Sequence, residues 1–314
     1  MKTICLIAAI VAAPSLSNTV GDDYTLRYNV KKGQSYSYSL DMDMDMSMGI
    51  DMMTGQPTEE GGMDMDMEFS IYTTVSIDEA KGEEIVMANQ VDSLRMGMTM
   101  PGMPAVAFNS NQVKQGDMMD MMMMESFKTI LEAPIMNTMD VYGNVKEFSF
   151  PEGFGEGTGG LGGGSNPFEG MQSMYGIYPD HKVSVGQTWE IETEMVSNGV
   201  SLDVRNIYTL VSVEKGVAKI KFTGNMVMPE TDFTEVIAEE IEAEELSEEE
   251  LAELEDAEMK MEMAGVISGS LSVDIKTGMP ITSKNSMEAT IDMDMMGQKI
   301  PMEMDGVYTM KMIK

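Results

Sequence analysis

The stretch that decides the fold is DMDMDMSMGIDMM, residues 41–53. From Tyr36 the apolar residues are Tyr36, Tyr38, Leu40, Met42, Met44, Met46, Met48, Ile50 and Met52, all at even positions, with mostly Ser and Asp between them. Period two puts alternate side chains on opposite faces of a strand. The pattern therefore predicts a thioether face turned to a core and a carboxylate face turned to water. A strand over 36–52 would be about 55 Å long at about 3.3 Å per residue. Such a length predicts strong twist, a bulge or a bend.

Working outward, the alternation returns in odd register at Met63, Met65, Met67, Phe69, Ile71, Val75 and Ile77. The intervening MTGQPTEEGG, with its Gly and Pro, reads as a hairpin loop. EEIVMANQVDSLRMGMTM (83–100) is a third strand. Its apolar parity switches between Val91 and Leu94, which predicts a bulge near Asp92. Upstream, YTLRYNVKKGQSY (24–36) predicts a short strand and a Lys-Gly turn.

The spacing changes in GDMMDMMMMESFKTILEAP (116–134). Asp117 caps a predicted helix over 117–132, Met119, Met122, Met123, Phe127, Ile130 and Leu131 form its apolar stripe, and Pro134 stops it. A strand pair follows around VYGNVKEF (141–148). Residues 152–166, EGFGEGTGGLGGGSN, read as a flexible linker. Beyond it HKVSVGQTWEIETEM (181–195) echoes the earlier RYNVKKGQSYSYSL: strand end, Gly-Gln turn, then an aromatic entering an alternating strand. A hairpin at Glu214-Lys215-Gly216 and three or four closing strands complete the second half. An acidic helical insertion is expected over 231–258, with Ser247 and Glu250 as a capping box.

The expected fold is mainly β: long curved antiparallel sheet, half-barrel or barrel-like, internally duplicated, with one Met-rich amphipathic helix and the acidic insertion. Its expected parts are a signal peptide (1–17), a first β half (18–151), the linker (152–166) and a second β half (167–314). The opening MKTICLIAAIVAAPSLSN has the basic start, short apolar run and small residues of a secretory signal. Cys5, the single cysteine, lies inside it, so the exported chain is expected to have no disulfide and no membrane helix, and to reside in the periplasm or at the cell surface.

YNVKKGQSYSY, KVSVGQTW and IKTGMPITSKNSMEATIDM (275–293) together resemble a group of exported bacterial β-rich proteins classed only as a domain of unknown function. The resemblance extends over most of residues 24–314. It implies export and a β architecture, and it brings no catalytic residue with it.

Of the 314 residues, 43% are hydrophobic, yet only 6% are aromatic and 40 are Met. Met has displaced Leu, Ile and Phe from a folding sequence. With 53 acidic against 20 basic residues the net charge is −33. That balance excludes nucleic acid and anionic headgroups as partners, because phosphate contacts need clustered Lys and Arg.

Three chemistries remain to be weighed. Thioethers suit Cu(I) and Ag(I), and Met-x-Met pairs are frequent. Two residues apart on a strand, however, the sulfurs lie about 7 Å apart and need a cross-strand partner to share an ion. The strict parity favours packing. A Ca²⁺ loop is imitated by Asp292, Asp294, Gly297 and Glu303, but Met296 and Pro301 do not fit it, and a hairpin turning at Gly297 accounts for the same residues. The acidic rows would bind Ca²⁺ only weakly. For catalysis there is one histidine, His181 in a polar turn, and no Gly-x-Ser-x-Gly elbow. The expectation is thus a non-enzymatic protein without cofactor: a structural or interaction module of the envelope, or a carrier of apolar, lipid-like ligands. Its expected face comprises Met42, Met44, Met46, Met48, Met63, Met65, Met67, Phe69, Met122, Met123 and Phe127, and its expected partner is an apolar small molecule, a lipid or an envelope protein. The alternative is Met-based Cu(I)/Ag(I) binding or weak Ca²⁺ binding.

Overall fold

The computed structural model describes residues 22–50, 58, 62–114, 116–152, 177–197, 200–232, 259–295 and 297–313. The signal segment 1–17, nearly all of the Gly-rich linker and the acidic insertion beyond Asp232 lie outside the described residues, as does Met52. The strands are β1 (Ser35–Met48), β2 (Met63–Lys81), β3 (Glu84–Thr99), β4 (Val106–Asn109), β5 (Ile135–Asp140), β6 (Val145–Ser149), β7 (Thr188–Ser197), β8 (Val200–Glu214), β9 (Val217–Asp232), β10 (Met259–Asp274), β11 (Pro280–Met295) and β12 (Gln298–Met312). Among the described residues one helix, α1 (Met118–Glu132), interrupts them.

All twelve strands form one sheet in the order β6-β5-β3-β2-β1-β12-β11-β10-β9-β8-β7, with β4 attached to β3. Every described pairing is antiparallel. The first and last strands meet, as in an up-and-down barrel, but β6 and β7 are not paired and the sheet stays open there. The result is a half-barrel.

Curvature follows from the core. One cluster joins Val75, Ile77, Ile85 and Met87 on β2 and β3 to Tyr208, Leu210, Ile220 and Leu271 on β8, β9 and β10. In a flat sheet β3 and β9, six strands apart, would be separated by about 29 Å at about 4.8 Å per strand. Sharing one core requires the sheet to curl, with these residues on its concave face. Four glycines on β9, β10 and β12 point the same way, and neighbouring side chains cover them: Asn206 over Gly224, Met226 over Gly265, Phe222 over Gly269 and Tyr308 over Gly306. A strand bends readily where no side chain crowds its inner surface. The ladders of β1 with β2 and with β12 run unbroken from one end to the other. The long strand, which ends at Met48, therefore carries no bulge. The bulge expected near Asp92 is present: Tyr72 pairs with Ser93 and Thr73 with Val91, leaving Asp92 as the extra residue.

The duplicated turns are built alike. Gly33 N donates to Ile77 O at 2.8 Å and Ile77 N to Gln34 O at 2.9 Å. Gly186 N donates to Leu210 O at 2.7 Å and Leu210 N to Gln187 O at 3.1 Å. Each Gln side chain accepts from the backbone three residues back, Gln34 from Lys31 and Gln187 from Ser184. Both glycines have positive φ, 82° and 89°, a conformation that only Gly adopts without strain. The same Gly-Gln pair thus performs the same task in each half.

Two expectations need correction. The segment 24–30 is not a ladder strand. It makes one isolated bridge, Tyr24 with Val183, and sends its amides to distant turns, Tyr28 N to Val141 O (2.7 Å) and Asn29 N to Thr277 O (2.8 Å). Leu26, Tyr28 and Val30 are buried, so the segment floors the half-barrel instead of extending it. In α1 the buried line is Asp120, Met123, Phe127 and Ile130, narrower than the expected stripe. Met119 and Met122 are exposed, and Met124 packs at the edge of the cluster instead. Met122 lies about 100° round the helix from Met123, and α1 touches the sheet along only one such line, over Val91, Leu94, Met96 and Phe108. Asp117 caps α1 as expected, accepting from Met119 N (3.1 Å) and Asp120 N (3.4 Å).

Candidate ligand face

The interior is layered along the half-barrel axis, because directly paired residues share a face. At the floor Leu40, Met310, Ser283, Leu271, Ile220 and Leu210 form one row across β1, β12, β11, β10, β9 and β8. Aromatic anchors close that end. Trp189 stacks on Tyr208 with ring centroids 5.6 Å apart, and its Nε1 donates to Ile177 O at 2.9 Å. Tyr178, wholly buried, donates to Gly278 O at 2.6 Å. Burial pushes its phenol well above the usual tyrosine range, and burial likewise raises Tyr308 on β12.

Toward the opposite end the interior turns to methionine. Met63, Met48, Met302, Ile291, Met263 and Met228 pair in one continuous row across β2, β1, β12, β11, β10 and β9. The row beneath is Met65, Met46, Met304, Ala289, Gly265 and Met226, and the next begins Met67, Met44 and Gly306. No charged side chain interrupts these rows. Met42, Met44, Met46, Met48, Met63, Met65, Met67 and Phe69 are all half-buried, whereas Asp41, Asp43, Asp45, Asp64, Asp66 and Glu68 between them are exposed. The alternation thus separates an apolar concave face from an acidic convex one. The convex side carries its own row, Asp66-Asp45-Asp305-Glu288, paired strand to strand. The outward face of β1 and β2 is thus lined by carboxylates, which hydrocarbon does not accept.

Met123 and Phe127 of α1 are buried against β3 and β4, in a cluster with Phe69 and Leu40 at its edge. Met122 points away from this face at 61% exposure, beside Met118 (77%), Met119 (49%) and Met121 (57%). The β1 and β2 members of the expected face share one side of the sheet, whereas Met123 and Phe127 are packed against β3 and β4 and Met122 is exposed. Sequence reading missed its continuation on β9–β12: Met226, Met228, Met263, Met302 and Met304. The same alternation was there to be read, but nothing local says that β12 returns to pair with β1. Also missed was a polar island: Asn137, 1% exposed, has no hydrogen-bond partner for its side-chain amide among the described residues, and Thr73 and Asn89 are buried on the same face.

The other candidate chemistries fare differently. Asp292 and Asp294 sit on β11 and Glu303 on β12, joined by a turn with Gly297 at φ 79°. That is the hairpin and not a Ca²⁺ loop. Among the described residues no group of three or more His, Cys, Asp or Glu gathers to hold a metal ion. His181 is exposed and bonds the neighbouring Asp180 at 3.0 Å. A depression of about 380 Å³ opens on the convex side near Arg205, Ile207, Asn225 and Val266, away from the methionine rows. No described helix is long and apolar enough to cross a membrane.

Fold and face together define a class: an antiparallel half-barrel with an aromatic floor and a thioether-lined concave opening. A family of unknown function (DUF6263) matches residues 168–280, which include KVSVGQTW and run from the approach to β7 to the first residue of β11. The resemblance seen in the sequence thus meets a family in the second half. Among solved structures, similarity is found to an outer membrane channel from Pseudomonas putida F1, at 3% identity and a TM-score of 0.23, covering 91% of this chain and 97% of the other. A complex of OmpF from Salmonella typhi with daunomycin gives 8% identity and a TM-score of 0.20, covering 91% and 100%. No curated protein matches.

Proposed function

We propose that this is a non-enzymatic exported protein that holds apolar, lipid-like ligands on the concave methionine face of its half-barrel. The supporting observation is the pair of uninterrupted rows led by Met63-Met48-Met302 and Met65-Met46-Met304, whose β1 and β2 members stay half-buried. A filled core would bury them fully, as it does Leu210 and Ile220 at the floor. Methionine suits the task because its unbranched, polarizable side chain refits to different apolar shapes. Each thioether still in water stands to gain a share of the roughly 1.5–3 kcal/mol that complete burial of such a side chain supplies.

The test is native mass spectrometry and solvent extraction of the purified protein, followed by titration of the extracted protein with palmitate. A co-purifying lipid, or palmitate binding that Met44→Asp and Met65→Asp abolish, is the expected result. A protein free of lipid that also ignores palmitate would overturn the reading. A second reading, an interaction module of the envelope, is favoured by the exposed Met118, Met119, Met121 and Met122 on α1. Cross-linking from that helix on intact cells tests it, with a single dominant partner expected.

A further inference from the structure

The β register supplies what adjacent Met-x-Met pairs lack, a third and a fourth thioether beside each. On β1, Met46 lies directly between Met65 of β2 and Met304 of β12. Met48 lies directly between Met63 and Met302. Directly opposed residues have Cβ atoms about 4.5–5.5 Å apart, and on a concave surface the flanking side chains lean toward the central one. Flexible thioethers at that spacing can turn their sulfurs to a common point above β1. Two such trios stack two residues apart along the strands.

We propose that Met46/Met65/Met304 and Met48/Met63/Met302 form a thioether-only site for a soft monovalent ion, Cu(I) or Ag(I). The donor set decides the ion. The carboxylates next to these methionines along the strands, Asp45, Asp64, Asp66, Glu303 and Asp305, occupy the opposite parity and are exposed on the convex side. A hard cation such as Ca²⁺ or Mg²⁺ would find no carboxylate in these two rows, and Zn²⁺ would find neither thiolate nor imidazole there. Neutral sulfur donors in an apolar surround favour a soft ion of low charge. The convex carboxylates raise the cation concentration around the molecule without competing as ligands. Half-burial at Met46, Met48, Met63 and Met65 leaves the ion a way in. The inference stands apart from apolar-ligand binding, since it needs the sulfur atoms and not merely the apolar surface.

The experiment titrates the extracted full-length protein with Ag(I), and anaerobically with Cu(I), against a competing chelator, with stoichiometry read by native mass spectrometry. One or two ions retained per chain are expected, with affinity above that of an equal concentration of free methionine. Met46→Leu with Met48→Leu conserves volume and should weaken binding by more than about tenfold. Met118→Leu with Met119→Leu, removing two exposed helical thioethers, should leave it unchanged. Copper K-edge absorption on the wild-type protein should show sulfur alone in the first shell, a readout independent of whether any variant folds. Affinity no better than free methionine, equal losses in the two double variants, or a nitrogen or oxygen shell would each overturn the site. Palmitate binding on the same preparation separates the two ideas: palmitate bound without Ag(I) defeats only the metal site, and Ag(I) bound without palmitate defeats only the lipid reading.

Discussion

Tyr208 is buried to 3% exposure between the rings of Trp189 and Phe222, and burial pushes its phenol up to about 12 against a hydrogen bond from Asn206 that lowers it. The unfolded chain loses that proton near pH 10, so between about pH 10 and 12 the native state binds more protons than the unfolded state and stability falls as pH rises. Its contribution is complete below pH 10 and lost through the folded value. The loss is on the order of 2–3 kcal/mol. Tyr208→Phe should flatten the alkaline limb of a urea-denaturation series without abolishing it, because Tyr178 and Tyr308 are raised too. Identical limbs in the two proteins would remove Tyr208 as the titrating group. The role of Trp189 as anchor was legible from its place after a Gly-Gln turn. Asn137 was not, since a single polar residue in IMNTMD carries no sign of whether its neighbours satisfy it.

DMDMDM at 41–46 and DMMDMMMM at 117–124 consist of Asp and Met alone and fold oppositely, one as strand β1 and the other into helix α1. Methionine by itself favours helix. Period decides, because only a strand puts every second residue on one face and only a helix gathers Asp120, Met123, Phe127 and Ile130. This is why the strands, the Asp92 bulge and the Asp117 cap could be read locally, while the exact helix face could not: that depends on the line along which β3 and β4 receive it. Asp in place of Met123, which is 3% exposed, should cost about 2–5 kcal/mol in thermal or denaturant unfolding. The same change at Met122, 61% exposed, should stay within about 0.5 kcal/mol. Equal costs would place both on the packed side. The convex ladder Asp66-Asp45-Asp305-Glu288 sets like charges opposite one another, which destabilises a sheet by about 0.2–1 kcal/mol per pair. Asp45→Asn relieves two such pairs. It should raise the Tm in dilute buffer and lose most of that advantage at about 1 M salt, where the screening length falls to about 3 Å. A gain that persists in high salt would point to a cause other than charge.

The chain doubles a meander yet buries a single shared floor, and that arrangement was the least legible feature of the sequence. Alternation predicts strands, and the repeated Gly-Gln turn predicts two halves, but neither says that β12 pairs with β1 or that Leu26 and Tyr28 pack under strands of both halves. Those contacts are long-range and leave no local periodicity. They have a mechanical consequence. Tyr28 meets Tyr178 edge-on with centroids 5.1 Å apart, Tyr178 bonds Gly278, and the β1–β12 ladder runs from Tyr38–Met312 to Met48–Met302. Each half therefore completes the core of the other, and separation would expose Val75, Ile77, Leu271 and Val273 together with two unpaired strand edges. Cleavage of the backbone at a protease site inserted within 153–176 should accordingly leave two fragments that co-elute on size exclusion and unfold in one cooperative transition. Residues 177–314 expressed alone, with β12 as a bare edge, should aggregate or remain unfolded. Two separate transitions in the cleaved protein, or a soluble and natively folded second half, would show that the halves are independent domains and that the shared floor contributes little to holding the half-barrel in shape.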